Sequence, residues 1–340
     1  MNTMNHWQRI EAALHDEPVD HVPVALWRHF PNDDICSDKL VRHTLDWQAK
    51  WDFDLVKFMP SGTYSIEDWG AATAYQGAAN GARVVVEPAV RRSEDWLQIR
   101  HQDVRRGSWG RQNDALGVVA RALRGRVPIL QTVFSPLTTA RKMATDGLYA
   151  DMRRAPEVLE QALRVITDMT IEFSLQAIRS GAHGIFLATQ QASSRLMTHD
   201  EFTRFGQRYD LEVLEALRGK ARLNMLHAHG DDILFDQLAR YPVEMMNWHD
   251  RLTEPALAGA AGQFPGVMVG GLDEHGTLMH GSHEDIADQV RDAIEQTQGR
   301  RLMIGPGCVV PVAVRDEALL AAVQAARTPV HEALSEAALA

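Results

Sequence analysis

Two histidines, His227 and His229, lie one residue apart in the sequence LHAHG, at the end of an apolar run. Alternate residues of a β-strand project from the same face, so both imidazoles would point in one direction. A cysteine, Cys308, ends another apolar run in the turn PGC. Two neutral imidazoles and one thiolate are a ligand set typical of catalytic Zn²⁺, which keeps a fourth position open. The residue types and their spacing therefore predict a zinc site made of His227, His229 and Cys308.

The zinc prediction requires a fold that brings these residues together, because H-x-H also occurs often by chance. Cys308 and two further histidines can also be explained by structural roles that involve no metal. Cys308 follows a glycine-rich turn and would also fit as a small buried core residue. His249 and His275, which follow two other apolar runs, are readily explained as hydrogen-bonded loop residues. The elements that position these side chains decide between the two interpretations.

Eight short apolar runs recur along the chain, and turn signals and helical patterns separate them. Near-continuous apolar runs are typical of strands that are covered on both faces. The predicted strands lie at residues 21–27, 54–60, 127–135, 184–190, 221–229, 243–249, 266–273 and 301–308. Amphipathic helices, several of them with capping residues or terminal glycines, are predicted at residues 156–181, 198–219, 284–297 and 316–327.

The alternation of eight strands with helices predicts an α/β fold, a (β/α)8 TIM barrel, with a doubly wound parallel sheet as the alternative. Residues 61–126 interrupt the alternation with a strand-like segment and a polar region that contains Arg and Trp. We interpret them as an insertion after strand 2, on the functional face of the barrel. The whole chain, residues 1–340, is then one domain.

In a barrel of this type, the chemistry lies at the carboxyl ends of the strands. Polar residues occupy these positions in nearly every predicted strand. We therefore expect a substrate pocket that is lined by Arg28, Gln190, Trp248 and Asp250. An arginine at a strand end is well placed to bind a substrate carboxylate, but Arg28 would equally well pair with Asp33 or Asp34 on the surface.

The composition argues against several other classes of function. The chain has 340 residues, 45% of them hydrophobic, and a net charge of −10 with no long run of Lys and Arg, so a nucleic-acid partner is not expected. No apolar stretch approaches the roughly 20 residues of a membrane-spanning helix. The polar amino terminus has no signal-peptide pattern, and the two cysteines are Cys36 and Cys308, so we expect a cytoplasmic protein with free thiols.

Several cofactor motifs are missing from the sequence. Asp273, Glu274 and His275 begin like the D-x-H-x-x-G signature of corrinoid-binding domains, but Leu278 stands where that signature requires glycine. We therefore expect no cobalamin bound to this chain. The G-x-G-x-x-G, Walker and G-x-S-x-G patterns are also absent, which argues against dinucleotide, ATP and serine-hydrolase chemistry.

Three segments carry a resemblance to a known family. RIEAALHDEPVDHVPVALWR, residues 9–28, resembles the opening of the uroporphyrinogen decarboxylase superfamily, where a short helix and an EPVDR-PV motif lead into strand 1 and an arginine. VFSPLTTA, residues 133–140, is similar to the G-x-P-F/W-T turn of that family after strand 3. Residues 156–218 match its long helix, strand and second helix. The resemblance covers essentially the whole chain and implies a TIM-type barrel.

The chain departs from true uroporphyrinogen decarboxylases at three places. Residues 57–60 read KFMP where those enzymes carry the aspartate of an F-S-D-I-L motif, and no second arginine follows Arg28 closely. The glycine-histidine-glycine turn after strand 8 is GPGC here, at residues 305–308. A tetrapyrrole with many carboxylates requires several cations, so these departures argue against uroporphyrinogen as the substrate.

The motifs of this chain are similar to another branch of the superfamily, the zinc-dependent methylcobalamin:coenzyme M-type methyltransferases. Their pattern is H-x-C-G after strand 5 and a cysteine in a PGC turn after strand 8. His227 and Cys308 match this pattern, and His229 stands where these relatives carry cysteine. The resemblance implies that zinc binds and deprotonates a thiol or a similar acceptor.

The resemblance also implies a source for the methyl group, either a separate corrinoid protein or a methylated substrate that binds directly, and it implies a homodimer. Two other functions stay open. A cofactor-independent decarboxylase would act on a smaller carboxylic acid that Arg28 holds. A barrel retained for binding alone would bind a ligand without turnover, although the polar strand ends argue against it.

Overall fold

The computed structural model describes residues 3–337, and its centre is a curled sheet of seven parallel strands. A separate antiparallel hairpin of two strands follows the first strand of that sheet. The strands are β1 (Val56–Phe58), β2 (Ala72–Ala74), β3 (Val84–Glu87), β4 (Ile129–Phe134), β5 (Gly184–Thr189), β6 (Met225–Ala228), β7 (Met245–Trp248), β8 (Val267–Leu272) and β9 (Leu302–Pro306). In the sheet the order is β1-β4-β5-β6-β7-β8-β9, and its neighbouring pairs are all parallel.

The first of the eight predicted strands is irregular in the structure. Residues 21–27 form no regular strand, whereas each of the other seven apolar runs contributes one strand to the sheet. Pro23 has no N–H group, which prevents a regular ladder at this point. The segment is still held on both sides, because Ile304 N–H donates to Pro23 O over 2.8 Å and Asp54 N–H donates to Val24 O over 2.9 Å. The α/β class with a parallel sheet is thus confirmed, with an extended segment between β9 and β1.

Helices lie against the sheet and connect its strands. A 3-10 helix spans Ser93–Gln98, and a π-helical turn spans Thr203–Gln207. The α-helices are α1 (His6–Leu14), α2 (Ser37–Trp51), α3 (Tyr64–Glu67), α4 (Gly107–Leu123), α5 (Pro136–Ala144), α6 (Gly147–Arg154), α7 (Pro156–Ser180), α8 (His199–Phe202), α9 (Arg208–Leu217), α10 (Phe235–Leu238), α11 (Leu257–Ala260), α12 (Thr277–His280), α13 (His283–Thr297), α14 (Asp316–Ala326) and α15 (Val330–Ala337).

The predicted helix ends agree closely with the structure. Gly181 terminates α7 with a φ of +111°, a left-handed conformation that favours glycine. Thr198 and Glu201 form a capping box at the start of α8, as their spacing predicts. The predicted helix at residues 198–219 is divided by the π-helical turn into α8 and α9.

The span predicted as an insertion, residues 61–126, contains both irregular and regular structure. It begins with α3, the β2–β3 hairpin and the 3-10 helix, and it ends with α4. α4 packs against α2 and α7 and connects β1 to β4, as expected of an ordinary helix in a parallel α/β fold. The irregular part is therefore shorter than predicted and spans residues 61–106.

The hydrophobic core includes the sheet and the inner faces of the helices. Every residue of β4, β5 and β8 is buried, as their apolar sequences predict. Among residues 3–337, no helix is long and apolar enough to cross a bilayer. The single domain over residues 1–340 stays a prediction, and its residues 1–2 and 338–340 lie outside the described part of the chain.

A buried group of ion pairs fixes α1 to the amino-terminal side of the sheet. Arg9 donates to Asp54 Oδ1 over 2.6 Å and to Asp20 Oδ1 over 2.8 Å. Asp54 also accepts the backbone N–H of Val24 over 2.9 Å. The aspartate of the EPVD sequence, Asp20, therefore has a structural role, at the edge of the sheet opposite to the carboxyl ends of the strands.

Candidate functional site

The three predicted metal ligands lie together at the carboxyl edge of the sheet. His227 is in β6, His229 follows it, and Cys308 comes shortly after β9. One ligand atom from each of the three side chains lies within 4.8 Å of the other two. The alternation of β6 continues past its end, because His229 N–H still donates to Thr189 O over 3.0 Å. Both imidazoles therefore project to the same side, as the LHAHG spacing predicts.

Asn247 fixes the tautomer of His227. Asn247 Nδ2 donates to the backbone oxygens of Val269 and Pro306 over 2.8 and 2.9 Å, so its Oδ1 is the acceptor for His227 Nδ1–H over 2.7 Å. The lone pair of His227 is then on Nε2, which is buried and has no hydrogen-bond partner in the described part of the chain. Burial lowers the pKa of His227 well below its usual range, so the ring is neutral. A neutral, oriented imidazole with a free nitrogen is the form that binds a metal.

His249, which follows β7, lies beside His229. His249 Nε2 is 3.4 Å from His229 Nδ1, and the two rings meet edge to face at an interplanar angle of 64°. Burial, followed by the charge of His249, lowers the pKa of His229 to about 4. His229 is therefore neutral at physiological pH, and a neutral imidazole keeps one nitrogen without a proton as a potential metal ligand.

Glu274 holds the turn that carries Cys308. Its Oε2 accepts Gly307 N–H and its Oε1 accepts Cys308 N–H, each over 2.9 Å. The side chain is buried, and this burial raises the pKa of Glu274 to about 7. The position of the cysteine is thus set by a buried carboxyl group from the loop after β8.

The groups around Cys308 keep its thiol protonated. Burial, followed by the Glu274 carboxylate, raises the pKa of Cys308 to about 12, although Lys57 acts in the opposite direction. A cation bound against Sγ would favour the thiolate. Two neutral imidazoles and a thiol of this kind fit a zinc ion. The other cysteine, Cys36, is exposed at the start of α2.

A cavity of about 120 Å³ lies beside the candidate ligands. Its wall contains all three of them and also Gln190, one of the predicted substrate residues. Phe134 and Phe186 give the wall an apolar part, and none of the lining residues is acidic. The cavity therefore offers space for a small molecule, next to the ligand set and without negative side chains.

Two lysines line this cavity. Lys57 is 8% exposed, its Nζ lies 4.2 Å from the ring centroid of Phe186, and it contacts Met59 Sδ. Lys142 Nζ lies 4.3 Å from the ring centroid of Phe134. Within residues 3–337 neither lysine has a carboxylate partner. Burial lowers the pKa of Lys57 to about 7 and that of Lys142 to about 8. An anion bound beside these lysines would raise both pKa values and favour the ammonium forms, so the cavity can hold an anionic group.

Arg28 lies outside the cavity. Its guanidinium donates to Val312 O over 2.8 Å and lies against two aromatic rings. In the extended first segment, Trp27 points toward Lys57, so its neighbour Arg28 points to the other side. Arg28 does not form the predicted ion pair with Asp33 or Asp34 either. Asp33 pairs with Lys39, and Asp34 pairs with His29.

Trp248 and Asp250 are also placed away from the cavity. Asn247 and His249 face the candidate ligands, so the residue between them, Trp248, points to the opposite side, where it is fully buried. Asp250 accepts the backbone N–H of Gly271 over 3.0 and 3.1 Å, which connects the ends of β7 and β8. Of the four predicted substrate residues, Gln190 is the one that lines the cavity.

Five residues near the candidate ligands were not predicted from the sequence to belong to the site. Asn247 and His249 could have been found, because N-W-H repeats on one strand the alternation that H-A-H shows on the preceding strand. Glu274 belongs to the corrinoid-like triplet DEH, which gives no sign of its contact with the turn of Cys308. Lys57 and Lys142 carry no such signal, since lysine side chains are almost always exposed.

The fold and the site geometry together define the class of this protein. It is an α/β protein with a curled parallel sheet and a candidate metal centre at the carboxyl ends of the strands. Residues 37–329 match the family model described as uroporphyrinogen decarboxylase (URO-D). This match covers well over half of the chain. The chain therefore belongs to the uroporphyrinogen decarboxylase family, as the sequence resemblance implies.

Individual proteins agree with this assignment. Uroporphyrinogen decarboxylase from Cellvibrio japonicus (strain Ueda107) is 28% identical over 114 residues, which are 32% of this chain and 32% of that protein. The matched part thus spans about a third of the length of that relative.

Two solved structures are similar in fold. A methyltransferase from Methanosarcina mazei has a TM-score of 0.79 at 20% identity, over 95% of this chain and 98% of that chain. A B12-independent methionine synthase from Shewanella sp. W3-18-1, in complex with selenomethionine, has a TM-score of 0.57 at 14% identity, over 95% and 96%. At these identities the likeness shows a shared fold.

Proposed function

We propose that this chain is a zinc-dependent methyltransferase of the uroporphyrinogen decarboxylase family. It would use a TIM-type barrel, with residues 21–27 as an irregular first strand, to activate a thiol or a similar acceptor. The observation that carries the proposal is the buried Nε2 of His227, which has no hydrogen-bond partner within residues 3–337 and belongs to a group with His229 and Cys308 whose ligand atoms lie within 4.8 Å of one another. Three such donors are what a catalytic zinc site with one open position requires.

Zinc bound by these residues would lower the pKa of an acceptor thiol and so supply a nucleophile at neutral pH. The side chains of the protein perform the other tasks. Asn247 keeps the proton of His227 on Nδ1, so that Nε2 stays free. Glu274 holds the turn of Cys308 through two backbone N–H groups. The aromatic part of the cavity wall keeps water away from a bound acceptor.

The two lysines favour an acceptor that carries an anionic group. Lys57 and Lys142 line the same cavity as the candidate ligands, and no acidic residue lies in its wall. An anion between two ammonium groups in a largely apolar cavity gains charge-assisted hydrogen bonds that a neutral acceptor lacks. We therefore propose a small anionic thiol, or a chemically similar acceptor, as the substrate.

The proposed methyl donor is a separate methylated corrinoid protein or a small methylated compound. Leu278 stands in place of the glycine of the corrinoid-binding signature, so the cofactor would have to be brought by another chain. One protein of similar fold, from Methanosarcina mazei, is named a methyltransferase. That likeness concerns the fold, and the support for the activity comes from the site.

Transfer of the methyl group from free methylcobalamin to thiols tests this proposal. We would compare 2-mercaptoethanesulfonate with 2-mercaptoethanol, which lacks the negative charge, and follow loss of methylcobalamin by its absorbance. We expect turnover with the anionic thiol, its loss after chelation and its return with zinc. Cys308→Ala should be inactive, whereas Cys36→Ala, the matched control, should retain activity. Turnover that neither chelation nor Cys308→Ala reduces would contradict the proposal.

A second candidate function is supported by the same two lysines. A decarboxylase of this family would hold a small carboxylic acid between Lys57 and Lys142, because Arg28 lies outside the cavity. This function requires no metal. Release of CO₂ that is insensitive to chelators and to Cys308→Ala would favour it over methyl transfer.

A further inference from the structure

We propose that His249 and Glu274 are positioning residues, which select the tautomer of His229 and so make its Nε2 available to a metal. The inference rests on the proposed metal centre, but it concerns two residues outside the predicted ligand set. Three elements carry it, namely β6, β7 and the loop after β8.

The side chains at the ends of β6 and β7 are matched in pairs. His227 and Asn247 are Cα partners in the parallel ladder of these two strands. One alternation further along, His229 Nδ1 and His249 Nε2 lie 3.4 Å apart. The β7 segment thus places a polar side chain beside each of the two imidazoles. The amide of Asn247 lies beside His227, and the imidazole of His249 lies beside His229.

The proton positions along this contact follow from Glu274. Its carboxylate accepts the backbone N–H groups of Gly307 and Cys308, and its Oε1 lies 3.4 Å from His249 Nδ1. His249 Nδ1 is buried and makes no hydrogen bond within residues 3–337, but a carboxylate oxygen 3.4 Å away favours a proton over a lone pair on this nitrogen by charge attraction. His249 Nε2 is then an acceptor. His229 must present Nδ1–H to it, which leaves the lone pair of His229 on Nε2.

An imidazole needs such a partner, and a thiolate does not. A neutral imidazole binds a metal through one nitrogen, and the proton must be on the other. A thiolate has a single donor atom and no tautomers. The effect of His249 on metal binding should therefore depend on whether residue 229 is histidine or cysteine. Removal of a partner that orients a ligating histidine typically costs roughly 10–100-fold in metal affinity.

A double-mutant cycle tests the inference. Zinc affinity is measured by competition with a chromogenic chelator in the wild type, His249→Ala, His229→Cys and the double variant. We expect His249→Ala to lower the affinity roughly 10–100-fold when residue 229 is histidine, and to have little effect when it is cysteine. The matched control is His275→Ala, whose side chain lies 4.0 Å from the same Glu274 carboxylate but is 50% exposed, and which should bind zinc like the wild type.

A second measurement reports the geometry of the centre. The visible absorption of the Co²⁺-loaded protein should change in His249→Ala and stay unchanged in His275→Ala. His249→Phe keeps a ring without nitrogen and replaces the alanine variant if that variant does not fold. An equal loss of affinity in both backgrounds, or no loss in either, would overturn the positioning role. A wild type that binds no zinc would instead overturn the proposed function.

Discussion

Asn247 accepts the Nδ1–H of His227 over 2.7 Å, and it does so through Oδ1 because its Nδ2 donates to two backbone carbonyl oxygens. One amide group thus satisfies three buried polar groups and leaves the second nitrogen of the imidazole free. The orientation of the candidate metal centre therefore depends on a side chain that is not itself a predicted ligand.

We expect Asn247→Leu to lower the free energy of unfolding by about 1–3 kcal/mol, because it leaves the buried Nδ1–H of His227 without its partner and removes two hydrogen bonds to backbone carbonyl groups. Urea denaturation measures this change. Asn113→Leu is the matched control, since Asn113 is also buried but neither its Oδ1 nor its Nδ2 has a hydrogen-bond partner among the described residues, so leucine there should be neutral or stabilising. Similar losses at both positions would contradict the role assigned to the contact between Asn247 and His227.

Gly307 lies where the site has no room for a side chain. A Cβ at this position would lie 2.8 Å from His249 Nδ1 and 3.1 Å from Glu274 Oε2. Gly307→Ala must therefore displace the turn of Cys308, and we expect zinc affinity to fall by roughly 10-fold or more. Chelator competition checks this, with Gly262→Ala as the control because no atom lies within 4 Å of a Cβ there. If Gly307→Ala binds zinc as tightly as the wild type, the turn of Cys308 is not part of the metal centre.

Lys57 should make the stability of the protein depend on pH. Burial lowers its pKa to about 7 in the folded protein, whereas lysine in an unfolded chain titrates near about 10.4. Because its folded pKa lies below its unfolded pKa, Lys57 by itself costs no stability above about pH 10.4, and its cost grows as the pH falls to about 7. Lys57→Met removes this cost. The variant should be more stable than the wild type near about pH 7, and the difference should shrink toward about pH 10 by up to about 1.4 kcal/mol per pH unit.

Urea denaturation at several pH values across this range tests the lysine prediction. Lys220→Met, at an exposed position, is the control, and its difference from the wild type should stay constant over the same range. If the difference between Lys57→Met and the wild type also stays constant, Lys57 is not held in the buried, unpaired state that the cavity shows.

The periodicity of the sequence predicts most of the sheet and all three candidate ligands. Parallel strands end at one edge of a sheet, so His227 and Cys308 can be expected to meet there although they are far apart in the chain. The first strand could not be predicted in full, because Pro23 removes a donor from the ladder while the apolar composition of the run stays typical of a strand. The apolar composition of a segment indicates that it is buried, but it does not show whether its backbone can form the hydrogen bonds of a strand.

Three of the four predicted substrate residues lie away from the cavity, and the roles of the substrate residues and of the metal ligands stay predictions. A shift by one residue along a strand moves a side chain to the opposite face. Trp248 was expected in the pocket, but its two neighbours, Asn247 and His249, are the residues that face the site. Arg28 likewise lies on the side of its segment away from the cavity. Lys57 supplies positive charge in the cavity instead, and the burial of a lysine is set by the tertiary fold rather than by a local pattern.

The metal content of the purified protein tests the central claim most directly. The wild type and three variants are incubated with zinc, desalted and analysed for zinc per chain. About one zinc per chain is expected in the wild type and in Cys36→Ala, and none in Cys308→Ala or His227→Ala, because a three-residue site does not survive the loss of one ligand. A wild type without zinc, or zinc retained in both Cys308→Ala and His227→Ala, would contradict a metal centre at His227, His229 and Cys308.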